Sequence, residues 1–227
     1  MSRQLRILLC CQQAHQRHAV PAYGFWAEYF RHGLSEAGHE SLEAPECDWA
    51  EGLLPLDAAA RAAWQDRTWS NALAHLRREH ARKPVDLFLA YLYPQQVLPA
   101  ALAEIRALGI PCVNFFCDNV REFRQVPAEF HAFDLHWVPE YKAGPLYQRA
   151  GLSWISAPMP CWVPPDRRTP VETETLPVTF IGTRDEQRAT LLITGAGSRP
   201  AAGIARPRVD SNGPARAGFA FAEGPAP

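Results

Sequence analysis

A short polar stretch follows one of the most apolar runs of the 227-residue chain. The run Cys112–Cys117 (CVNFFC) is typical of a buried strand, and Asp118 and Arg121 come directly after it. An aspartate placed there can accept a proton or hydrogen bond from a hydroxyl group, and an arginine can hold an anion. A structural interpretation is equally open, in which Asp118 caps the following turn and Arg121 joins a surface ion pair.

Polar residues also follow the first apolar run, in a loop that carries His15, Arg17, His18 and Tyr23. The His-x-x-His spacing suggests a metal, but a third and a fourth ligand at usable spacing are missing, so we expect no metal site. The loop is then either solvated or the polar rim of a ligand cleft.

Two further groups have weaker signals. Gly182, Thr183 and Arg184 follow a later strand, where a glycine lets the backbone approach a phosphate and an arginine can neutralise it. Tyr91 and Tyr93 end another strand and form either an aromatic wall for a ligand or, as we favour, ordinary packing.

The elements that position these residues alternate between strand and helix. Apolar runs predict strands at Leu5–Cys11, His39–Glu43, Asp86–Tyr93, Cys112–Cys117, Leu135–Val138 and Ser153–Ala157. Three- and four-residue periodicity predicts helices at Phe25–Ala37, Ala58–Arg82, Pro99–Leu108 and Glu140–Ala150. This alternation predicts an α/β fold, a Rossmann-like parallel sheet with helices on both faces, whose ligand sites lie at the carboxyl ends of the strands.

The chain divides by composition into four parts. Residues 1–157 make up the predicted Rossmann-like domain, and 158–177 are a proline-rich linker. Residues 178–193 contain a strand, a turn and a helix, which look like the start of a second α/β unit. In 194–227, 20 of 34 residues are Gly, Pro or Ala, with no leucine or tryptophan, so we expect disorder there.

Charge and composition limit the partners. There are 23 Lys+Arg against 24 Asp+Glu, a net charge of -1, which gives no basic footprint for nucleic acid. No run reaches the roughly 18 apolar residues of a membrane span. The six cysteines contain no C-x-x-C pair, so we expect a reduced, cytoplasmic protein rather than a disulfide framework.

The stretches FFCDNVREF (115–123) and VTFIGTRDEQRATLL (178–192), with the proline-rich crossover between them, resemble a group of bacterial glycosyltransferases, the spore-maturation or CgeB-like proteins of the two-domain GT-B fold. The resemblance runs from Arg6 to Leu192. It implies that the amino-terminal domain holds an acceptor, that a carboxy-terminal domain binds a nucleotide-sugar, and that transfer needs no bound metal or cofactor.

The resemblance also implies roles for individual residues. The catalytic residue would be Asp118, and the acceptor-binding residues would be His15, Tyr23, Asn119 and Arg121. The donor diphosphate would be approached by Gly182, Thr183 and Arg184.

The sequence departs from this family after Leu192. Family members continue with a full donor domain, whereas the Ala/Gly/Pro-rich residues 194–227 have the composition of GC-rich DNA translated in a wrong frame. We therefore expect a truncated or frameshifted product that is inactive on its own, since the missing groups would stabilise the leaving diphosphate.

Two other classes compete with a glycosyltransferase. One is a flavodoxin-like binding or regulatory module without chemistry, but Gln12–His18 lacks the acidic cluster of a receiver and the hydroxyl- or glycine-rich loop of a flavin site. The other is a nicotinamide dehydrogenase, but no G-x-G-x-x-G follows Leu9. The stretch LLITGAG (191–197) resembles a dehydrogenase opening, yet Arg199 and Ala201 stand where glycines belong.

Overall fold

The computed structural model describes residues 3–15 and 23–168, and for Tyr23 the backbone only. The description below concerns these residues. The predicted second unit at 178–193, the tail at 194–227, and Gly182, Thr183 and Arg184 lie outside them.

Six strands and five helices alternate along the chain. The strands are β1 (Arg6–Cys11), β2 (Glu40–Leu42), β3 (Leu87–Tyr91), β4 (Cys112–Phe115), β5 (Leu135–Trp137) and β6 (Trp154–Ile155). The helices are α1 (Tyr23–Glu36), α2 (Ala58–Arg82), α3 (Pro99–Ala107), α4 (Asn119–Glu122) and α5 (Gly144–Arg149). Short 3₁₀ turns occur at Ala50–Leu53, Pro94–Gln96, Ala128–Ala132 and Pro165–Arg167.

All six strands form one parallel sheet in the order β2-β1-β3-β4-β5-β6. In the central pair, Ile7 lies opposite Leu87 and Cys11 opposite Tyr91. The chain goes outward from β1 to β2 and then returns to the other side of β1 at β3. Such a reversal opens a crevice between the loops that leave the two strands, here β1 and β3.

Helices cover both faces of the sheet. On one face, α1 places Trp26 against Tyr91 and Phe115, with ring centroids 5.6 and 5.3 Å apart. On the other face, Trp69 of α2 lies 6.0 Å from Phe88. The predicted α/β Rossmann-like class, a parallel sheet with helices on both faces, is therefore confirmed.

The amino edge of the sheet is held by a buried arginine. The Arg6 side chain forms ion pairs with Glu40 and Glu79 and donates to the Glu79 and Lys83 carbonyls at the end of α2. A cation at a helix C-terminus satisfies carbonyls that have no partner within the helix. This network lies opposite the edge where the predicted site residues are.

Most of the predicted elements are confirmed, with α2 at its predicted bounds. The largest difference is α5, which was predicted from Glu140 and begins at Gly144. The reason is Pro145, which lies in the first turn of the observed helix. In a helix beginning at Glu140, its ring would clash with an earlier carbonyl and one hydrogen bond would be lost.

Candidate site at the carboxyl edge of the sheet

A pair of buried glutamines joins the loops that border the crevice. Gln12 directly follows β1, and its amide and that of Gln96 donate to each other at 2.9 and 3.0 Å. Gln96 also donates to the Trp49 carbonyl and accepts from the Tyr93 backbone N–H. The Gln12 backbone has φ of 49°, a left-handed conformation that turns the chain out of the sheet. The loops after β1 and β3 are thus connected to each other and to the 48–53 segment.

The loop that carries His15 is anchored through its backbone. The Gln13 carbonyl accepts from the Trp49 N–H at 2.8 Å, and the His15 N–H donates to Asp48 Oδ2 at 3.1 Å. His15 itself is exposed, so its imidazole is available to solvent at this edge. Tyr23 begins α1, and its side chain lies outside the described residues.

Asp118 lies in the turn after β4 and is held by a tyrosine. The Tyr93 hydroxyl donates to Asp118 Oδ2 at 2.9 Å. The Asp118 side chain is 26% exposed and makes no capping hydrogen bond to α4. The structure therefore excludes the alternative in which the Asp118 side chain serves as the cap of the following turn.

Two more protonated side chains, those of Tyr91 and Cys117, lie behind the hydrogen bond between Tyr93 and Asp118. The Tyr91 hydroxyl lies 3.3 Å from the Tyr93 hydroxyl and 3.4 Å from Cys117 Sγ. Burial raises the pKa of both tyrosines well above the ordinary value, and the Asp118 charge adds to this for Tyr93. Burial also raises the pKa of Cys117 to about 11. All three groups are therefore protonated at neutral pH. The Tyr93 hydroxyl donates directly to Asp118 Oδ2, and the Cys117 thiol lies 4.0 Å from the same oxygen.

Asn119 and Arg121 occupy different environments. The Asn119 side chain is fully buried, donates to the Phe116 carbonyl at 2.6 Å and accepts from the Tyr147 hydroxyl at 2.7 Å. This differs from the acceptor-binding role predicted for it, because both ends of its amide are occupied inside the protein.

Arg121, in contrast, has a side chain that is 78% exposed. Its guanidinium lies 3.9 Å from carboxylate oxygens of both Asp118 and Glu122. Such exposed pairs are weak and can be exchanged for a ligand anion.

The parallel sheet places two loops that carry predicted acceptor-side residues at its carboxyl edge. Asp118 follows β4 and His15 follows β1, with β3 between them, so the two strand ends are roughly 10 Å apart from the usual strand spacing. Asp118, Asn119 and Arg121 share one turn. A ligand of the size of a sugar can reach from one loop to the other.

Other site types find less support in residues 3–15 and 23–168. No group of three or more His, Cys, Asp or Glu side chains is placed to hold a metal ion there. None of the six cysteines is in a disulfide. No described helix has both the length and the apolarity to cross a membrane.

Sequence analysis did not identify the residues that support Asp118. Tyr91 and Tyr93 were noted as the end of a strand, and their two-residue spacing places them on one face, but packing was favoured for both. The packing of Tyr91 is confirmed, since it is 3% exposed. Sequence analysis missed the hydrogen bond from Tyr93 to Asp118 and the Gln12–Gln96 pair. No local sequence pattern indicates either contact.

Comparison with known proteins identifies no family for the chain. No family profile and no curated protein matches it. Among solved structures, a UDP-glucosyltransferase from Polygonum tinctorium, described as capable of glucosylating indoxyl, aligns over 77% of this chain at 11% identity with a TM-score of 0.41. UGT2 from Phytolacca americana aligns over 78% at 9% identity with a TM-score of 0.41. The glycosyltransferase SnogD from Streptomyces nogalater aligns over 84% at 16% identity with a TM-score of 0.36.

The alignments cover 56%, 55% and 62% of those three chains, so this chain spans little more than half of their length. At these identities and TM-scores the similarities establish no common activity.

Proposed function

We propose that residues 1–157 form the acceptor-side domain of a glycosyltransferase of the two-domain GT-B kind. Such a protein moves a sugar from a nucleotide-sugar to an acceptor hydroxyl. The finer assignment, to the CgeB-like group, is supported by the stretches FFCDNVREF and VTFIGTRDEQRATLL. No metal or cofactor is part of the proposal.

The observation that carries the proposal is the Asp118 carboxylate at the carboxyl edge of a parallel sheet. One of its oxygens accepts from Tyr93. The other, Oδ1, has only the Arg121 guanidinium at 3.9 Å within the described part of the chain. The Asp118 side chain is 26% exposed. An aspartate with one oxygen fixed by a hydrogen bond and the other in only a weak ion pair is suited to accept the proton of a bound hydroxyl.

In the proposed step, the acceptor hydroxyl gives its proton to Asp118 Oδ1 while its oxygen forms a bond to the anomeric carbon of the sugar. The bond from that carbon to the diphosphate breaks, and the diphosphate leaves with the electron pair. His15, Tyr23 and Arg121 contact the acceptor, whereas Asn119 supports the turn that carries Asp118. Gly182, Thr183 and Arg184 approach the diphosphate from the second unit.

The proposal includes the expectation that this 227-residue chain turns over negligibly on its own. Leaving-group stabilisation supplies much of the transition-state binding in such reactions. The expectation rests on composition: residues 194–227 are rich in Ala, Gly and Pro, and we propose that they add few groups able to bind the diphosphate.

The strand order favours a second candidate. The order β2-β1-β3-β4-β5 within the sheet is also that of flavodoxin-like proteins, which bind ligands at the same crevice. The second candidate is therefore a non-catalytic binding or regulatory module.

One binding experiment separates the two. Isotope-labelled chain is titrated with glucose, glycerol and phenol as hydroxyl probes, and with flavin mononucleotide, while backbone amide NMR signals are followed. We expect hydroxyl probes to perturb Gln13–His15 and Cys117–Arg121, and Asp118→Asn to weaken this about tenfold or more. The matched control Asp66→Asn, an exposed aspartate on α2, leaves it unchanged.

Saturable binding of flavin mononucleotide with no response to any hydroxyl probe would favour the binding module and overturn the acceptor-side assignment.

A further inference from the structure

The turn after β4 departs from the usual arrangement at a helix start. Asp118 is the N-cap of α4, where an aspartate ordinarily accepts from an amide of the first turn. Here its side chain makes no such bond. The Val120 N–H donates instead to Glu140 Oε2, at 3.3 Å, from the loop after β5. Glu140 thus takes over the cap, and the Asp118 carboxylate is released to point toward β3.

The direction of the hydrogen bonds at Asp118 follows from what each group can do. An ionised carboxylate only accepts, so the Tyr93 proton points to Asp118 Oδ2. The Tyr93 oxygen is then left to accept from the Tyr91 hydroxyl, 3.3 Å away. The Cys117 thiol lies 3.4 Å from the Tyr91 oxygen and 4.0 Å from Asp118 Oδ2, so it can donate to either. The hydrogen bonds to Asp118 therefore run from Tyr91 to Tyr93 to Asp118.

The start of this chain of hydrogen bonds is rigid. Tyr91 is 3% exposed, with its ring against Trp26 and Phe115 at 5.6 and 5.2 Å. Tyr93 packs edge-on against the buried Phe116 at 5.0 Å. A carboxylate held by a hydroxyl on such a support keeps one orientation.

We propose that Tyr93 is a positioning residue that binds Asp118 through Oδ2 and thereby leaves Oδ1 as the oxygen offered to the acceptor hydroxyl, with Tyr91 orienting the Tyr93 hydroxyl. This inference rests on the proposed function for the role of Oδ1. The Tyr93–Asp118 contact itself is tested without any acceptor.

The first measurement is the NMR chemical shift of the Asp118 side-chain carboxyl carbon in the 227-residue protein at one fixed, neutral pH. A charge-assisted hydrogen bond to a carboxylate oxygen polarises the carboxyl group and so contributes to this chemical shift. Tyr93→Phe removes the donor and keeps the ring, so we expect the carboxyl signal to move. Tyr91→Phe moves it in the same direction by less.

The matched control is Tyr141→Phe, which removes a phenol hydroxyl at the same edge from a side chain that is 77% exposed. It leaves the Asp118 carboxyl signal where it is. If Tyr93 acted only through the packing of its ring, Tyr93→Phe would also leave the carboxyl signal unchanged, and that result overturns the inference.

The second measurement is a double-mutant cycle on urea unfolding with Tyr93→Phe and Asp118→Asn. If the two side chains act through one bond, the effect of the double variant on the unfolding equilibrium constant is about fivefold or more smaller than the product of the single effects. Tyr141→Phe combines with Asp118→Asn independently, within about twofold. Independence of Tyr93 and Asp118 by the same criterion contradicts the inference.

These measurements distinguish a failure of the acceptor-side assignment from a failure of the role proposed for Tyr93. If Tyr93→Phe moves the carboxyl signal but no hydroxyl probe binds, Tyr93 holds Asp118 and the acceptor-side assignment is wrong. If a probe binds at Cys117–Arg121 but Tyr93→Phe leaves the carboxyl signal unmoved, the acceptor side stands and the role of Tyr93 is refuted.

Discussion

His136 on β5 is a histidine in an aromatic environment. It is 1% exposed, its ring stacks on Phe130 at 5.9 Å, and it lies 4.8 Å from the ring of Tyr147. Neither ring nitrogen has a hydrogen-bond partner among the described residues. Burial, with a smaller contribution from the charge of His131, lowers the pKa of His136 to about 4. Because Tyr147 donates to Asn119, this histidine lies directly beneath the turn that carries Asp118.

A histidine of this kind makes stability depend on pH. The folded-state pKa is below the unfolded value of about 6.5, so the unfolded state takes up the proton first as the pH falls. We expect the free energy of unfolding to drop between about pH 6.5 and 4, by about 3 kcal/mol from this group in full. Urea unfolding at several pH values measures the slope.

His136→Phe removes this part of the slope, because a phenylalanine has no proton to take up. His131→Gln, at an exposed residue of the preceding 3₁₀ turn Ala128–Ala132, keeps most of it. Parallel pH profiles for the wild type and His136→Phe would contradict the assignment.

Gln96 is the residue through which three segments meet. Its amide bonds Gln12, the Trp49 carbonyl and the Tyr93 N–H, all within buried or partly buried surroundings. Gln96→Met keeps the approximate volume but takes away the hydrogen-bond partners of the Tyr93 N–H and of Gln12 Oε1. The Trp49 carbonyl still accepts from the Gly52 N–H, and the Gln12 amide still donates to the Tyr91 carbonyl. Since each buried unsatisfied group costs about 1–3 kcal/mol, we expect a loss of at least 2 kcal/mol in the free energy of unfolding.

Chemical denaturation measures this loss, with Gln95→Met as the matched control. Gln95 is the preceding residue and its side chain is exposed, so its replacement should stay within about 0.5 kcal/mol of the wild type. Equal midpoints for the two variants would mean that the amide pair does not stabilise the edge.

At the scale of elements, the 3₁₀ turn Ala50–Leu53 packs closely against α2 because Gly52 has no side chain. A Cβ on Gly52 would lie 2.4 Å from the ring of Trp64, which is 1% exposed and donates to the Asp48 carbonyl. The ring cannot move without breaking that bond, so Gly52→Ala should destabilise by about 1–3 kcal/mol.

The matched control is Gly33→Ala in α1. A Cβ there has nothing within 4 Å, and alanine is a better helix former than glycine. We expect this variant to gain about 0.5–1 kcal/mol in thermal unfolding. Opposite signs for the two substitutions support the fit of Trp64 over Gly52, whereas two neutral substitutions would refute it.

The sequence was sufficient for most of the elements, but not for the short helix α4 or for the connections between elements. Apolar runs and helical periodicity depend on local order, so β1, α2 and β4 were predicted close to their observed bounds. The Gly144-Pro145 pair is a local signal for the start of α5, and the prediction did not use it. The Gln12–Gln96 pair joins residues 84 apart, and Tyr93 and Asp118 are 25 apart. Only the sheet order brings them together.

At the scale of the whole molecule, the candidate site is built from ends of strands rather than from one motif. Loops after β1, β3 and β4 meet at one edge, and hydrogen bonds join the first two loops to each other and the last two to each other. The geometry around Asp118 therefore depends on the sheet being intact. Substitutions at Gly52 or Gln96 should affect the site through stability, whereas Tyr93→Phe acts on the carboxylate directly.

The proposal divides the reaction between an acceptor side and a donor side, and this predicts what the chain does alone. We expect incubation with a panel of nucleotide-sugars and the hydroxyl probes to give sugar transfer within about twofold of the Asp118→Asn background. In the proposal only Gly182, Thr183 and Arg184 approach the diphosphate. An acceptor beside a base then reacts slowly, because stabilisation of the departing diphosphate acts mainly in the transition state. Mass spectrometry of the glycosylated probes and of the released nucleotide measures both products. Robust transfer that requires Asp118 would show that these 227 residues include the groups that bind the diphosphate. The donor side would then have to be sought beyond Arg168 in this chain.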